Sequence, residues 1–140
     1  MKRFLVTLLT IGLFACGEDS PVSRIAEGGL KYSNEGSLSI PVKLIPGAIS
    51  VAHVGEGTSY YYATVSPNTT YTVTVILQAV DNVVLRIHKG GFSSPPDCIS
   101  DTGGTKEECS VTLSALETSI FIEVINSQTV FGTSFTIQVH

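Results

Sequence analysis

The sequence predicts an all-β chain, an antiparallel β-sandwich of about seven or eight strands. Three observations predict it. Apolar side chains recur at a period of two along nearly a hundred residues, the spacing of a strand with one buried face. Turn signals such as "VGEGT", "SPNTT" and "HKGGF" interrupt them at short intervals. No window carries the 3.6-residue period of a long amphipathic helix. Many short strands at close spacing are the mark of a sandwich or barrel, and two packed sheets suit the size.

Taken in order, Pro41 and Pro46 bracket "VKLI", which suits an edge or entry strand, because proline cannot donate to a ladder. Strands follow at Ile49 to Val54 and at Ser59 to Val65. "TYTVTVIL" sets Tyr71, Val73, Val75 and Leu77 on one face, against Thr70, Thr72 and Thr74 on the other. "VVLRIHK" sets Val83, Leu85 and Ile87 against Arg86 and His88. A short strand fits Ser110 to Leu113. "SIFIEVIN" turns Ile120, Ile122 and Val124 inward and Phe121, Glu123 and Ile125 outward. "SFTIQVH" alternates Phe135, Ile137 and Val139 with Ser134, Thr136, Gln138 and His140.

The N-terminus sets the compartment. Lys2 and Arg3 precede an apolar run from Phe4 to Phe14, and the chain turns polar after Cys16. The run is too short for a spanning helix and suits a secretory signal. Leu13-Phe14-Ala15-Cys16 resembles the lipobox of bacterial lipoproteins, with Phe14 bulkier than usual there. The resemblance implies that 1–15 is a signal peptide and that Cys16 is acylated, with palmitate-type chains, as the first mature residue. Each buried methylene adds about 0.8 kcal/mol, so several chains anchor durably. No Asp stands at the position that commonly retains lipoproteins in the inner membrane, which implies the outer membrane, on its periplasmic or surface-exposed face. Residues 16–37, polar and rich in Gly and Ser, are expected to form a flexible tether, and 38–140 the domain.

Export decides the other two cysteines. Cys98 and Cys109 flank a polar, glycine-bearing loop, "CISDTGGTKEEC". Thiols in an oxidising space usually pair. Zinc needs four ligands, which no CxxC or HxxxH spacing supplies, and a redox pair sits closer together at a helix start. A Cys98–Cys109 disulfide is expected, holding a loop too polar to keep its own shape.

Composition narrows function. Charged residues make up 14% of the chain, against the usual quarter. Loss of Lys2 and Arg3 with the leader leaves six basic residues against twelve acidic ones. Such an acidic chain without basic clusters is unsuited to nucleic acid.

"SYYYATVSPNTTYTVTV", "VVLRIHKGG", the Cys98–Cys109 loop, "FIEVIN" and "SFTIQV", in that order, resemble the bacterial pre-peptidase C-terminal domain from about Leu44 to Val139. That family forms small jelly-roll-like β-sandwiches, usually attached to secreted proteases and collagenases. Members commonly carry an acidic residue before the leucine matching Leu85, where this chain has Val84, and the domain is expected to stand alone, without a peptidase. The resemblance implies a non-catalytic accessory module, sometimes binding protein or polysaccharide, and does not supply the ligand; a protein, an extracellular-matrix component or a glycan is expected, and no cofactor. A structural partner of an envelope or secreted protease is the alternative.

Strand period turns Tyr60, Tyr62 and Thr64 outward, the two tyrosines about 7 Å apart. They suit a platform for a sugar ring or extended peptide, as in collagen-binding relatives, or they pack across strands, as aromatics on sheets routinely do. Asp97, Asp101, Glu107 and Glu108 crowd the cysteine loop. Calcium takes six to eight oxygens, but the spacing fits no calcium loop and Gly103 and Gly104 interrupt it, so a solvated acidic loop is expected and no metal. His53, His88 and His140 are scattered, no GxSxG elbow accompanies the many serines, and Asp81 next to Asn82 reads as a turn. No catalytic residues and no enzyme are expected. Asn68-Thr69-Thr70 matches a glycosylation sequon but suits the turn after Pro67.

Overall fold

Alternating apolar spacing becomes ten strands in a computed structural model, which describes residues 31–32, 36–79, 82–127 and 132–140. The leader, Cys16 and Asp81 lie outside the described residues. The strands are β1 (Lys31–Tyr32), β2 (Val42–Leu44), β3 (Ile49–Val54), β4 (Gly57–Thr64), β5 (Thr70–Leu77), β6 (Val83–His88), β7 (Cys98–Ser100), β8 (Lys106–Thr112), β9 (Ser119–Asn126) and β10 (Thr133–Val139). They form two five-stranded sheets, ordered β1-β3-β10-β5-β8 and β2-β4-β9-β6-β7.

All pairings are antiparallel except β1 with β3 and β2 with β4. Those two parallel strands come first among the described residues and lie along one edge of each sheet. Lys31 and Tyr32, expected in the tether, thus run beside Ser50 and Val51. From there the chain crosses to the other sheet at Gly36, whose carbonyl accepts the amide of Tyr60 at 3.0 Å. A methyl on Gly36 would overlap the Tyr60 carbonyl oxygen and the Val42 amide, so only glycine fits this approach. The sequence spacing undercounts the strands because β1 and β7 are two and three residues long, too short to show a period.

The inward sets expected from the sequence are buried except for Tyr71, which is half-buried, and Thr74 and His88, expected outward, are buried as well. Val73, Val75, Val83, Leu85, Ile87, Ile120, Ile122, Val124, Phe135 and Val139 are fully buried. Tyr61 of one sheet meets Phe135 of the other edge to face, ring centroids 6.3 Å apart. Burying each such side chain stabilises by about 1.5–3 kcal/mol, the main driving force for stacking the sheets.

At the edge opposite β1 and β2, the sheets are joined by two successive rungs. Cys98 on β7 and Cys109 on β8 form the disulfide, Cα atoms 5.8 Å apart. Two residues inward, Ser100 donates to the Glu107 carboxylate at 2.5 Å. β7 belongs to one sheet and β8 to the other, so the bond staples sheet to sheet as well as closing its loop. Glu107 corrects the expectation of a solvated acidic loop: it is fully buried. Strand alternation points it inward with Cys109, and its carboxylate accepts the Thr102 amide at 3.0 and 3.1 Å and the Thr102 hydroxyl at 2.8 Å. A buried carboxylate survives only with such donors.

The turn between β8 and β9 is fixed by a second carboxylate. Glu117 accepts the Ser114 amide at 2.6 Å, which holds its pKa below the usual carboxylate range.

Three outcomes are expected. Cys98→Ser/Cys109→Ser lowers stability in urea by about 3 kcal/mol and Tm by roughly 10–20 °C; an unchanged midpoint would remove the staple from the account. Glu107→Ala, which strands three donors, costs about 1–3 kcal/mol in the same assay, and a neutral result would contradict its inward placement. Because the folded pKa of Glu117 is depressed, its contribution is present above the ordinary range and lost as pH falls through the folded value. The Ser114 amide resonance should therefore titrate with a midpoint below about 4.3; a midpoint at or above that refutes the bond.

Candidate functional site

Strand alternation leaves one sheet face outside the core with an unusual load. On the sheet β2-β4-β9-β6-β7, the outward positions of β4 are Tyr60, Tyr62 and Thr64, and those of β9 include Phe121 and Glu123. Register sets Tyr62 opposite Phe121 and Phe121 opposite His88, while Lys43 neighbours Tyr62 on the other side. Glu123 lies between Tyr60 and Arg86 in the adjacent row. The expected face thus holds for Tyr60, Tyr62 and Thr64: both tyrosines are half-buried, and Thr64 is exposed at the strand end.

What covers the tyrosines comes from a distant loop. Residues 89–97 fold back over the sheet and bring Phe92 onto it. Phe92 stands edge to face with Tyr60 (centroids 5.1 Å, planes at 84°), with Phe121 (5.3 Å, 73°) and with His88 (6.2 Å, 66°). Aromatic pairs in this geometry contribute about 0.5–1.5 kcal/mol beyond their buried area. Cross-strand packing is therefore part of what the tyrosines do: Tyr60 is held by Phe92, while Tyr62 flanks the cluster beside the exposed Lys43.

The loop is tied down at both ends. Gly91 takes φ +97°, a left-handed turn that favours glycine, and its carbonyl accepts the Ser94 amide at 3.1 Å. His88 Nδ1 donates to the Ser94 carbonyl at 2.8 Å, which fixes its tautomer. The Asp97 carboxylate accepts the Lys89 amide at 2.8 Å and pairs with its Nζ at 3.4 Å. Beneath the rings, Glu123 Oε2 lies 3.8 Å from Arg86 Nη1 and 3.6 Å from His88 Nε2. The surface thus carries aromatic faces with planar charged groups beside them.

The remaining sequence candidates disperse. His53 and His140 lie on the outer face of the other sheet, away from His88. His53 Nδ1 contacts Ser134 Oγ at 3.2 Å, and His140 Nε2 contacts Thr74 Oγ1 at 3.0 Å, which in turn donates to Glu108 at 3.2 Å. Of the four loop acids, Asp97 holds Lys89, Glu107 is buried, Asp101 is exposed, and Glu108 pairs with Lys106 at 2.6 Å. The Lys106 hydrogen bond and charge keep the Glu108 pKa below the usual range. Among the described residues no group of three or more His, Cys, Asp or Glu side chains could hold a metal. Asn68 takes φ 55° in the turn after Pro67.

Sequence reasoning set Phe121, Glu123, Arg86 and His88 outward without gathering them into one site, because strand order β4-β9-β6 is not written in the period. Phe92 gave one signal only, an aromatic residue after the reversal "KGG".

No protein-family model and no curated protein matches the chain. Among solved structures it is similar to the pre-peptidase C-terminal domain of a collagenase from Bacillus anthracis, with TM-score 0.58 and 9% identity, covering 71% of this chain and 94% of that one. The two share a β-sandwich fold. It also resembles Aeromonas hydrophila PliG, a periplasmic inhibitor of g-type lysozyme (TM-score 0.47, 12% identity, 77% of this chain and 100% of that one). A third is a β-glucosidase from Paenibacillus barengoltzii, with TM-score 0.37, 13% identity, and coverage of 77% of this chain but 12% of that one.

Phe92→Ala should remove the ring that ties the loop to the sheet. It is expected to cost about 1–2 kcal/mol, less than a full core Phe→Ala because the ring is only partly buried, and to weaken the near-UV dichroism of the tyrosines. Unchanged dichroism and stability would show that the cluster does not form.

Proposed function

We propose that the chain is a lipid-anchored module of the bacterial cell envelope, held at Cys16, whose β-sandwich binds a protein, matrix component or glycan without catalysis. The observation that supports it is the aromatic face outside the core, where Tyr60, Tyr62, Phe92 and Phe121 gather on one sheet. Aromatic side chains combine apolar area with few rotatable bonds, and Tyr adds a polar tip, so they suit sugar rings and extended peptides.

The parts divide the work. Phe92 fixes Tyr60, so little ordering is lost when a ligand arrives. Tyr62 supplies the accessible ring, and Lys43 and Thr64 lie beside it to hydrogen-bond a ligand's polar groups. Arg86 and Glu123 neutralise one another next to the rings. Dispersal of His53, His88 and His140 over two opposite faces supports a binding role over hydrolysis, which needs a nucleophile, base and orienting group in one place.

Screening the purified chain against arrays of glycans and matrix proteins should identify a ligand whose affinity falls at least tenfold, about 1.4 kcal/mol, in Tyr62→Ala, with Tm shifted far less than in Phe92→Ala. Undiminished affinity in that variant rejects the face. A stoichiometric protein partner recovered by crosslinking from membranes, with no glycan or matrix affinity, favours the assembly role instead. Metabolic labelling with a palmitate analogue should mark the wild-type chain and not Cys16→Ser; equal labelling of both rejects the anchor.

A further inference from the structure

The strands of the sheet β2-β4-β9-β6-β7 carry two long cationic side chains, Lys43 and Arg86, and one carboxylate, Glu123. Glu123 Oε2 lies 3.8 Å from Arg86 Nη1, so those two charges offset one another. In the rest of the described structure, Lys89 pairs with Asp97 and Glu117, and Lys106 with Glu108. Lys43 is different. Of the lysines and arginines whose side chains are described, it alone forms no ion pair among the described residues, and it is exposed.

Register sets its position. β2 runs from half-buried Val42 through exposed Lys43 to buried Leu44, so Lys43 points away from the core. Parallel pairing places it directly beside Tyr62 on β4, roughly 4.8 Å from strand to strand, and residues abreast in a sheet share a face. Phe121 stands on the far side of Tyr62, and exposed Thr64 follows two residues along β4. An uncompensated ammonium therefore lies next to the accessible ring of the aromatic face. A lysine on an edge strand also deters pairing with another chain, but that role asks for charge alone and is indifferent to the ring beside it.

We propose that this part of the face takes a carboxylated sugar, a uronic acid unit of a polysaccharide, with its ring on Tyr62 and its carboxylate on Lys43. The inference rests on the binding reading above and gives that ligand its chemical class. A pyranose presents C–H groups from one face, which suit the electron-rich face of a phenol ring. A uronate carries its charge at the edge of the same ring, where the neighbouring strand supplies the ammonium. An acidic peptide is served less well, because β2 is three residues long and offers an added strand few main-chain hydrogen bonds. The chain as a whole is acidic, with formal net charge -4. Screening over about 8 Å at physiological salt nevertheless leaves a bound sugar governed by its near neighbours.

Titration of the purified chain with oligogalacturonate and with its methyl ester, which keeps the ring and removes the charge, tests this. Wild type should bind the acid about two- to fivefold more tightly than the ester, the range of one exposed ion pair, and added salt should shrink that margin. In Lys43→Gln the two forms should bind alike with Tm unchanged, while Tyr62→Ala should weaken both by about tenfold or more. Equal binding of acid and ester by wild type, or a margin that survives in Lys43→Gln, overturns the uronate assignment. So does tighter binding of poly-glutamate than of oligogalacturonate. Failure of both saccharides to bind, while the arrays yield a neutral glycan or a protein whose affinity depends on Tyr62, overturns the assignment and leaves the binding face intact. Undiminished binding in Tyr62→Ala removes the face and this proposal with it.

Discussion

The pair of rungs between β7 and β8 is the constraint on which the rest of the molecule turns. A two-layer sandwich has four free edges, and its layers are held mainly by non-directional burial. Cys98–Cys109 and Ser100–Glu107 fix the spacing and slip of the sheets at one edge, while the chain's own passage through Gly36 ties them at the other. Glu107 is the costlier partner to place, since a carboxylate in the interior must be fully hydrogen-bonded to persist. Thr102 satisfies it because the loop turns back on itself.

The effect of those rungs reaches the outer face. Cys98 directly follows the 89–97 loop, so the disulfide anchors the loop's end, and Asp97 clamps the same point to Lys89. Phe92 is held over Tyr60 and Phe121 by a segment fixed at both ends. Lys89 also contacts Glu117 and the Thr112 carbonyl, at 3.8 and 3.5 Å, and so connects the aromatic loop to the turn that carries Leu116. One edge of the sandwich thus organises both the aromatic face and the turn between β8 and β9.

Much of this was legible in the sequence, for a physical reason. A period of two states which side chains enter the core, and β9 and β10 alternate without a break, so their faces are readable residue by residue, while Thr74 on β5 and His88 on β6 are buried on the outer face. The export expected from the N-terminal residues made the disulfide readable as well. What stayed hidden depends on contacts between distant segments. Glu107 looked like one of four solvated acids because the strand was expected to begin only at Ser110, whereas β8 begins at Lys106 and its alternation turns Glu107 inward with Cys109. Tyr60 and Tyr62 were readable as outward, but their partner Phe92 arrives from a loop with no period, and strand order alone sets Phe121 beside them. β1 was lost to the tether because a two-residue parallel strand depends on its neighbour for existence.

Nuclear Overhauser contacts between the Phe92 and Tyr60 rings, measured in the oxidised protein and in Cys98→Ser/Cys109→Ser, test the dependence most directly. The rings are close in the oxidised form, with cross-sheet contacts between Tyr61 and Phe135 present as well. The account predicts that the Phe92–Tyr60 contacts weaken or vanish in the variant while those between Tyr61 and Phe135 persist. Full retention of the Phe92–Tyr60 contacts without the sulfur bridge would contradict it.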